Sequence, residues 1–392
     1  MSELVINSLS LKSKGACVLK LSKIPVAFDL GGTSIRLGIP ENGKPKILNS
    51  VPIRQFNTFP DAAKSLLHSQ GLRGNVGRVV VDVNSSVRPN GSFCTDNGQF
   101  AGKETTLKMI SDATGAPVRE IRVVNDTASV TAGYIEARDN HRKPVSVIQR
   151  GLRGTPSVMR VNYIGTGHAY GTCILSDGTY LFFPGEGGHI KSPHLSTKGL
   201  NLSDTDPDPE ILRALNNYLN RQDKLPQILG AAKQVTREAM CRTGAIEDCF
   251  TAQNDTVPSI MRNQWDAPDI PHPKTIIDFR NRVARCEQAL EAYVFGIAAS
   301  VADDAMATVG GEVVVGGSHF APLKDLFVDE KNEHSWFMQC VRVCTPSYKA
   351  SDLSSARISF VADPDLAIKG AISLIDQLFG KKPTFKVMSP RS

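Results

Sequence analysis

Val26-Ala-Phe-Asp-Leu-Gly-Gly-Thr-Ser-Ile-Arg-Leu-Gly-Ile39 sets the reading of the whole chain. Val26 to Leu30 is an apolar run broken by one acid, Asp29, and reads as a buried strand. Gly31-Gly32-Thr33 makes a tight turn, and Ser34 to Ile39 begins a returning strand, which gives a β-hairpin. Glycines lack a Cβ, so backbone N–H groups there can approach phosphate oxygens, and the Thr33 hydroxyl adds a donor. Asp29 beside this turn is a hard oxygen ligand suited to Mg²⁺, directly or through water. Taken alone, a Gly-Gly-Thr turn is read more simply as a plain hairpin.

Moving outward, a helix is expected over 60–69, a strand over 78–83 and a turn-rich stretch over 84–102. A helix over 103–114, a strand over 121–124 and a helix over 127–138 follow. This alternation predicts an α/β sheet covered by helices. Asn125-Asp126 stands where the last strand hands over to its helix. Both residues suit an N-cap. Strand carboxyl ends are also where ligands bind in open α/β sheets, so an acid there can serve as general base.

From about residue 156 the opening pattern returns: strand 158–164, the turn Gly165-Thr166-Gly167, strand 171–175, a hairpin turn and strand 180–183. Such an internal repeat predicts two similar domains facing each other. Pro184-Gly-Glu-Gly-Gly-His189 follows, with Glu186 and His189 placed to grip adjacent hydroxyls in a glycine-rich loop. Residues 190–285 read as mostly helical. A long helix is expected over 279–308 and a strand over 313–315. Gly316-Gly317 comes next, either a strand-to-helix turn or a bare backbone surface for a flat ligand. A strand over 358–361 and a helix over 365–378 complete the pattern. Residues 1–24 read as a variable arm, and the tail from Lys381 as loose.

The 392 residues carry a net charge of +6, spread along the chain. Its densest stretch, Arg138 to Arg153, mixes in Asp139, Pro144 and Gly151 and reads as a solvated loop. Without a basic, aromatic-interleaved segment, nucleic acid is not the expected partner. The eight cysteines form no Cys-x-x-Cys pair, so free thiols in a reducing compartment are expected and zinc is not. No apolar run approaches membrane length and no secretory signal is read, so a cytoplasmic protein is expected.

Taken in order, these motifs resemble bacterial-type glucokinases, in the hexokinase branch of the actin-like ATPase fold and related to the ROK sugar kinases. Asp29 to Arg36 is similar to the family's first phosphate motif, Val124 to Ala128 to the segment with the catalytic aspartate, and Gly165-Thr166-Gly167 to the second phosphate motif. Pro184 to His189 resembles the sugar-binding loop, Gly316-Gly317 the adenosine-side turn, and Asp363 through Ala371 the closing segment. The resemblance implies two α/β (ribonuclease H-like) domains with a cleft between them. They would span about 25–150 and 151–392, the larger with a helical insertion and the last helix crossing back. It implies phosphorylation of a hexose, first of all glucose, at the 6-hydroxyl by ATP. Asp126 would be the base. Asn97, Asn125, Glu186 and His189 would orient the sugar. Asp29, Gly31, Gly32, Thr33, Gly165, Thr166 and Gly167 would surround the phosphates and Mg²⁺, with Gly316 and Gly317 on the adenosine side. A homodimer is implied by analogy.

The chain departs from the pattern in three places. The ROK zinc cysteines are absent. The turn after Val83 reads Asn84-Ser-Ser-Val87 without the usual proline, which weakens the carry-over to Asn97. The family's second sugar-binding glutamate aligns with Pro226, and Glu210 comes too early to replace it. Another hexose or an aminosugar as acceptor, or a sugar-sensing relative without catalysis, are the competing readings.

Overall fold

The computed structural model describes residues 23–95, 100–140, 145–152, 154, 156–164, 168–185, 200–202, 205–229, 245–251, 273–317, 319–329, 335–380 and 384–388. The first sheet comprises β1 (Ile24–Leu30), β2 (Ser34–Glu41), β3 (Lys44–Pro52), β4 (Val76–Val83) and β7 (Ile121–Asn125), in the order β3-β2-β1-β4-β7. A two-stranded ribbon, β5 (Phe93–Cys94) and β6 (Glu104–Thr105), stands apart. The second sheet contains β8 (Val145–Gln149), β9 (Val158–Ile164), β10 (His168–Ser176), β11 (Thr179–Gly185), β12 (Glu312–Gly317), β13 (Arg357–Val361) and β14 (Phe385–Val387). Its order is β14-β11-β10-β9-β12-β13-β8.

The core β11-β10-β9-β12-β13 repeats β3-β2-β1-β4-β7 in both order and direction. In each, the first three strands form an antiparallel meander and the next two run parallel to the first. The internal repeat read from the two glycine turns is therefore a repeat of topology. This is the two-domain actin-like ATPase fold.

In the first unit, α1 (Phe59–Ser69) starts where Thr58 accepts a hydrogen bond from the Asp61 N–H. It buries Phe59, Ala62, Ala63, Leu66 and Leu67 on one face of the sheet. Next comes α2 (Leu107–Thr114), and α3 (Asp126–Asp139) follows β7. The second unit carries α4 (Pro209–Leu229), α5 (Ala245–Thr251), α6 (Pro273–Asp278), α7 (Ala284–Ala307), α8 (Lys324–Phe327), α9 (Trp336–Val343), α10 (Ala350–Ser355) and α11 (Leu366–Phe379). Its largest core gathers around α7, which is buried along Ala289–Ala302. No described helix is long and apolar enough to cross a membrane.

A separate core lies between the sheets. Ala27, Val80 and Val124 from the first sheet and Met159, Val161, Val314 and Val361 from the second enclose α3 and α11. The last helix thus lies against both sheets. Small residues let the two helices touch. A Cβ on Gly370 would fall 1.7 Å from the Ser129 carbonyl oxygen, and one on Gly133 would fall 2.6 Å from that of Leu366. We expect Gly370→Ala to lower unfolding stability by about 3 kcal/mol or more, because backbone has to give way rather than a side chain. Urea denaturation checks this. The buried Glu312 carboxylate ties α3 to the second sheet, accepting hydrogen bonds from the Tyr134 hydroxyl, Ser359 Oγ (2.7 Å) and Arg138 Nη1 (3.1 Å).

Several expectations are corrected. The helix expected from Lys103 begins at Leu107, because Thr106 caps it by accepting from the Met109 N–H and Glu104–Thr105 pair with Phe93–Cys94. The helix expected from 279 begins at Ala284. Phe279–Val283 form a turn instead, held where Arg280 makes two hydrogen bonds to Asp325 (2.8 and 2.6 Å). The stretch Arg138–Arg153 is not all loop, since Val145–Gln149 pairs antiparallel with β13. The tail is not loose throughout. Phe385–Val387 adds a parallel strand to β11, and Phe385 stacks on Phe182 at 6.0 Å. Strand β3 and helices α8 to α10 add to the expected elements; Ser335 caps α9 by accepting from the Met338 N–H.

Candidate active site at the strand carboxyl ends

β1, β4 and β7 run parallel, so their carboxyl ends share one edge of the first sheet. β1 ends at Asp29-Leu30, and Gly31-Gly32-Thr33 turns the chain into β2. The Gly31 N–H donates to the Ser34 carbonyl (3.0 Å). Gly31 does not have a positive φ, and a Cβ there would meet nothing nearer than Ser34 O at 3.4 Å. Neither strain nor packing requires a glycine at this position. What its absent side chain does is leave the backbone approachable.

Asp29 is buried and held by Arg36, its cross-strand partner in the hairpin. Arg36 Nε donates to Asp29 Oδ2 (2.7 Å). Arg36 Nη1 reaches the Pro364 carbonyl (2.7 Å) and Asp365 Oδ1 (3.1 Å) at the start of α11. Burial raises the Asp29 carboxyl above its ordinary range, and Arg36 opposes that shift. Nearby, Asp363 accepts from the Asp365 N–H (2.9 Å) and from Lys369 Nζ (2.8 Å).

Asp82 sits on β4 in register with Asp29. It is fully buried, and neither carboxylate oxygen makes a close hydrogen bond, although the Ser129 hydroxyl lies beside it. Burial pushes its carboxyl well up, and the like charges of Asp29 and Asp126 push it further. The sequence had offered a signal: one acid inside Val79-Val80-Val81-Asp82-Val83, a strand otherwise apolar enough to be buried on both faces. The reach of Arg36 to its hairpin neighbour was legible in the same way, since cross-strand residues of opposite charge pair.

Asp126 is the first residue of α3, and Asn125 is its N-cap. Asn125 Oδ1 accepts from the Thr127 N–H (3.0 Å), and its amide donates to the Ser85 carbonyl (3.2 Å). The side chain therefore joins the turn after β4 to the start of α3. Asn125 also borders a cavity of about 700 Å³ walled by Ser86–Gly91, β7 and β14, with Pro184 in its lining. Asp29 and Asp126 do not line it.

The second sheet reaches the same place through Tyr163 near the end of β9. Burial raises its phenol, and it feels the charges of Arg36, Asp29, Asp363 and Asp126. Gly316-Gly317 is not a turn after β12 but its last two residues, beside Tyr163 and Ile164. Strand packing itself requires both glycines. A Cβ on Gly316 would fall 2.5 Å from Val361 Cγ1, and one on Gly317 would fall 2.6 Å from the Ile164 carbonyl oxygen. Asn97, Gly165, Thr166, Gly167, Glu186 and His189 lie outside the described residues. So does the side chain of Pro226, a position that falls within α4.

His319 follows the β12 end, packed against Phe320 (4.8 Å between centroids) and hydrogen-bonded to the Tyr293 hydroxyl (2.9 Å). Burial lowers its pKa from 6.5 to about 4. The unfolded chain then binds the extra proton between those values, so stability rises with pH there. The contribution is complete above pH 6.5 and lost as pH falls toward 4, at most about 3 kcal/mol. Urea titrations at pH 7.5, 6 and 5 should show this slope in the wild type and a flatter one in His319→Gln.

Among the described residues, no group of three His, Cys, Asp or Glu side chains stands close enough to hold a metal ion by itself. Mg²⁺ in phosphoryl transfer needs only one or two carboxylates, with water and phosphate filling the rest of its shell. Asp29 and the orphaned Asp82, on neighbouring strands about 4.8 Å apart, fit that requirement.

Residues 26–205 match the family model described as glucokinase. No curated protein matches the sequence. Among solved structures, the chain resembles a glucokinase from Balamuthia mandrillaris in complex with glucose. The TM-score is 0.66 at 12% identity, over 92% of this chain and 95% of that one. It resembles a ROK family glucokinase from Streptomyces griseus, in complex with glucose and AMPPNP, with a TM-score of 0.56 at 17% identity, over 90% and 98%. It also resembles a ROK family transcriptional regulator, a homologue of the E. coli MLC protein, with a TM-score of 0.54 at 16% identity, over 91% and 78%. At these identities the likeness is one of fold, shared by kinases and a regulator alike.

Proposed function

We propose that this chain, glucokinase-like over residues 26–205 and built on the fold of the ROK sugar kinases, transfers the γ-phosphoryl group of ATP to the 6-hydroxyl of a hexose, glucose foremost. The observation that carries the reading is a shared edge. Asp126 opens α3 at the carboxyl end of β7, and Gly31-Gly32-Thr33 follows the carboxyl end of β1, two strands away in one parallel core. A base for an acceptor hydroxyl and a turn for phosphate thus stand at one end of one sheet.

Phosphoryl transfer asks little covalent chemistry of a protein. It asks for positioning and for charge neutralisation. In this reading Asp126 accepts the hydroxyl proton as the oxygen attacks. The helix N-terminus and backbone N–H groups face the anionic side. Asp29 would hold Mg²⁺, directly or through water, and Mg²⁺ when bound offsets phosphate charge. Asn125, Glu186, His189 and Asn97 orient the sugar, and Thr33 and the Gly165-Thr166-Gly167 turn take the phosphates. Gly316 and Gly317 border the adenosine. The reading puts the reaction in the cytoplasm, and by family analogy in a homodimer.

The test is ADP release from Mg-ATP against a panel of hexoses and aminosugars. ADP formation with glucose ranked first supports the reading. Pro226, where the family places a glutamate, favours a second acceptor, another hexose or an aminosugar, and the ranking of kcat/KM decides between them. Sugar-induced thermal stabilisation with no ADP formed would instead mark a sugar sensor without catalysis.

A further inference from the structure

Asp29 is the natural candidate for the cation's carboxylate, but one of its oxygens, Oδ2, is already engaged by Arg36. Arg36 holds it through Nε at 2.7 Å and through a second contact from Nη2. Asp82 is in the opposite state. It has no exposed surface and no close hydrogen bond on either oxygen; the Ser129 hydroxyl of α3 is beside it, and its charged neighbours are Asp29, Asp126 and a single guanidinium, Arg36. A carboxyl so placed stays protonated on its own and ionises when something positive arrives to pair with it. Its neighbour in the strand ladder is Asp29 itself, one strand spacing away on the same face of the sheet. That face is the one covered by α3, whose first residue is Asp126.

We infer that Asp82 supplies the uncompensated carboxylate for the divalent cation that accompanies the nucleotide, directly or through water, with Asp29 as its Arg36-tethered neighbour. The inference rests on the kinase reading and adds to it a residue that no motif pointed to. Two carboxylates one strand spacing apart are enough for a cation whose other ligands are water and phosphate oxygens. The same arrangement explains an acid in the middle of a valine strand, a position where an apolar residue would pack at no electrostatic cost.

The test measures cation binding rather than turnover. Mn²⁺ affinity is read by electron paramagnetic resonance in the presence of a non-hydrolysable ATP analogue, for the full chain and for Asp82→Asn and Asp82→Ser. Both variants are expected to bind Mn²⁺ about 10- to 100-fold more weakly, with metal-free nucleotide affinity unchanged. Their metal-free thermal midpoints should be no lower than that of the wild type, and adding Mn²⁺ to the analogue should raise the wild-type midpoint further than theirs. Wild-type Mn²⁺ affinity in a folded Asp82→Asn or Asp82→Ser protein overturns the role of Asp82 and leaves the kinase reading standing. If the wild type binds neither the analogue nor Mn²⁺, the kinase reading falls and this inference falls with it.

Discussion

Asp126→Asn should lower kcat for hexose phosphorylation by about 100- to 10,000-fold, the span that a positioned general base contributes, while sugar affinity stays within a few-fold. Asparagine keeps the shape and tolerates the first turn of a helix, so α3 is retained and Asn125 still caps it through the Thr127 N–H. What disappears is the acceptor for the hydroxyl proton. Steady-state kinetics combined with sugar binding by calorimetry separates the two effects. Turnover near the wild-type value would sink the assignment of Asp126 as base. An equal loss of sugar affinity would make it a binding residue instead.

Arg36→Met should destabilise the protein by about 3 kcal/mol and weaken nucleotide binding together. The guanidinium, 20% exposed, contacts Asp29, the Pro364 carbonyl and Asp365, residues more than 300 positions apart in the chain. Removing it leaves Asp29 buried beside Asp82 with no counter-charge, and breaking a buried pair from one side is the costly way to break it. The double variant Asp29→Asn with Arg36→Met should recover part of the loss, since the abandoned charge is gone. A urea-denaturation cycle over the wild type, both single variants and the double variant measures that coupling. Purely additive effects would mean that the pair does not hold the turn.

Much of this site could be read in the sequence because its carriers are local. A strand, a glycine turn and a returning strand fix the hairpin, and the hairpin fixes Asp29 opposite Arg36. Asn125 and Asp126 announce a helix start by their chemistry, and the structure uses Asn125 as the cap. The repeated strand order follows from the repeated turn. What stayed hidden depends on partners distant in the chain. Val145–Gln149 has too many polar neighbours to read as a strand until β13 is beside it. Phe385–Val387 becomes a strand only on the open edge of β11. Gly316 and Gly317 looked like a loop because glycine pairs usually mark one. Here they are thin for the sake of Val361 and Ile164. Asp82 was visible as an oddity, but its meaning required the register that sets it beside Asp29.

The meeting of α3 and α11 at Gly133 and Gly370 has the geometry of an axle between the two sheets. Backbone approaches backbone there, so the two helices cannot slide past each other without a clash, and a turn about the contact is the less hindered displacement. Asp126 stands seven residues from Gly133, about 10 Å along the helix, and Asp365 stands five residues from Gly370. A turn of about 10° about the contact therefore shifts Asp126 by no more than about 2 Å, while more distant parts of either sheet travel several times as far. In the kinase reading, the acid groups then stay almost in place as the sheets turn about a bound sugar.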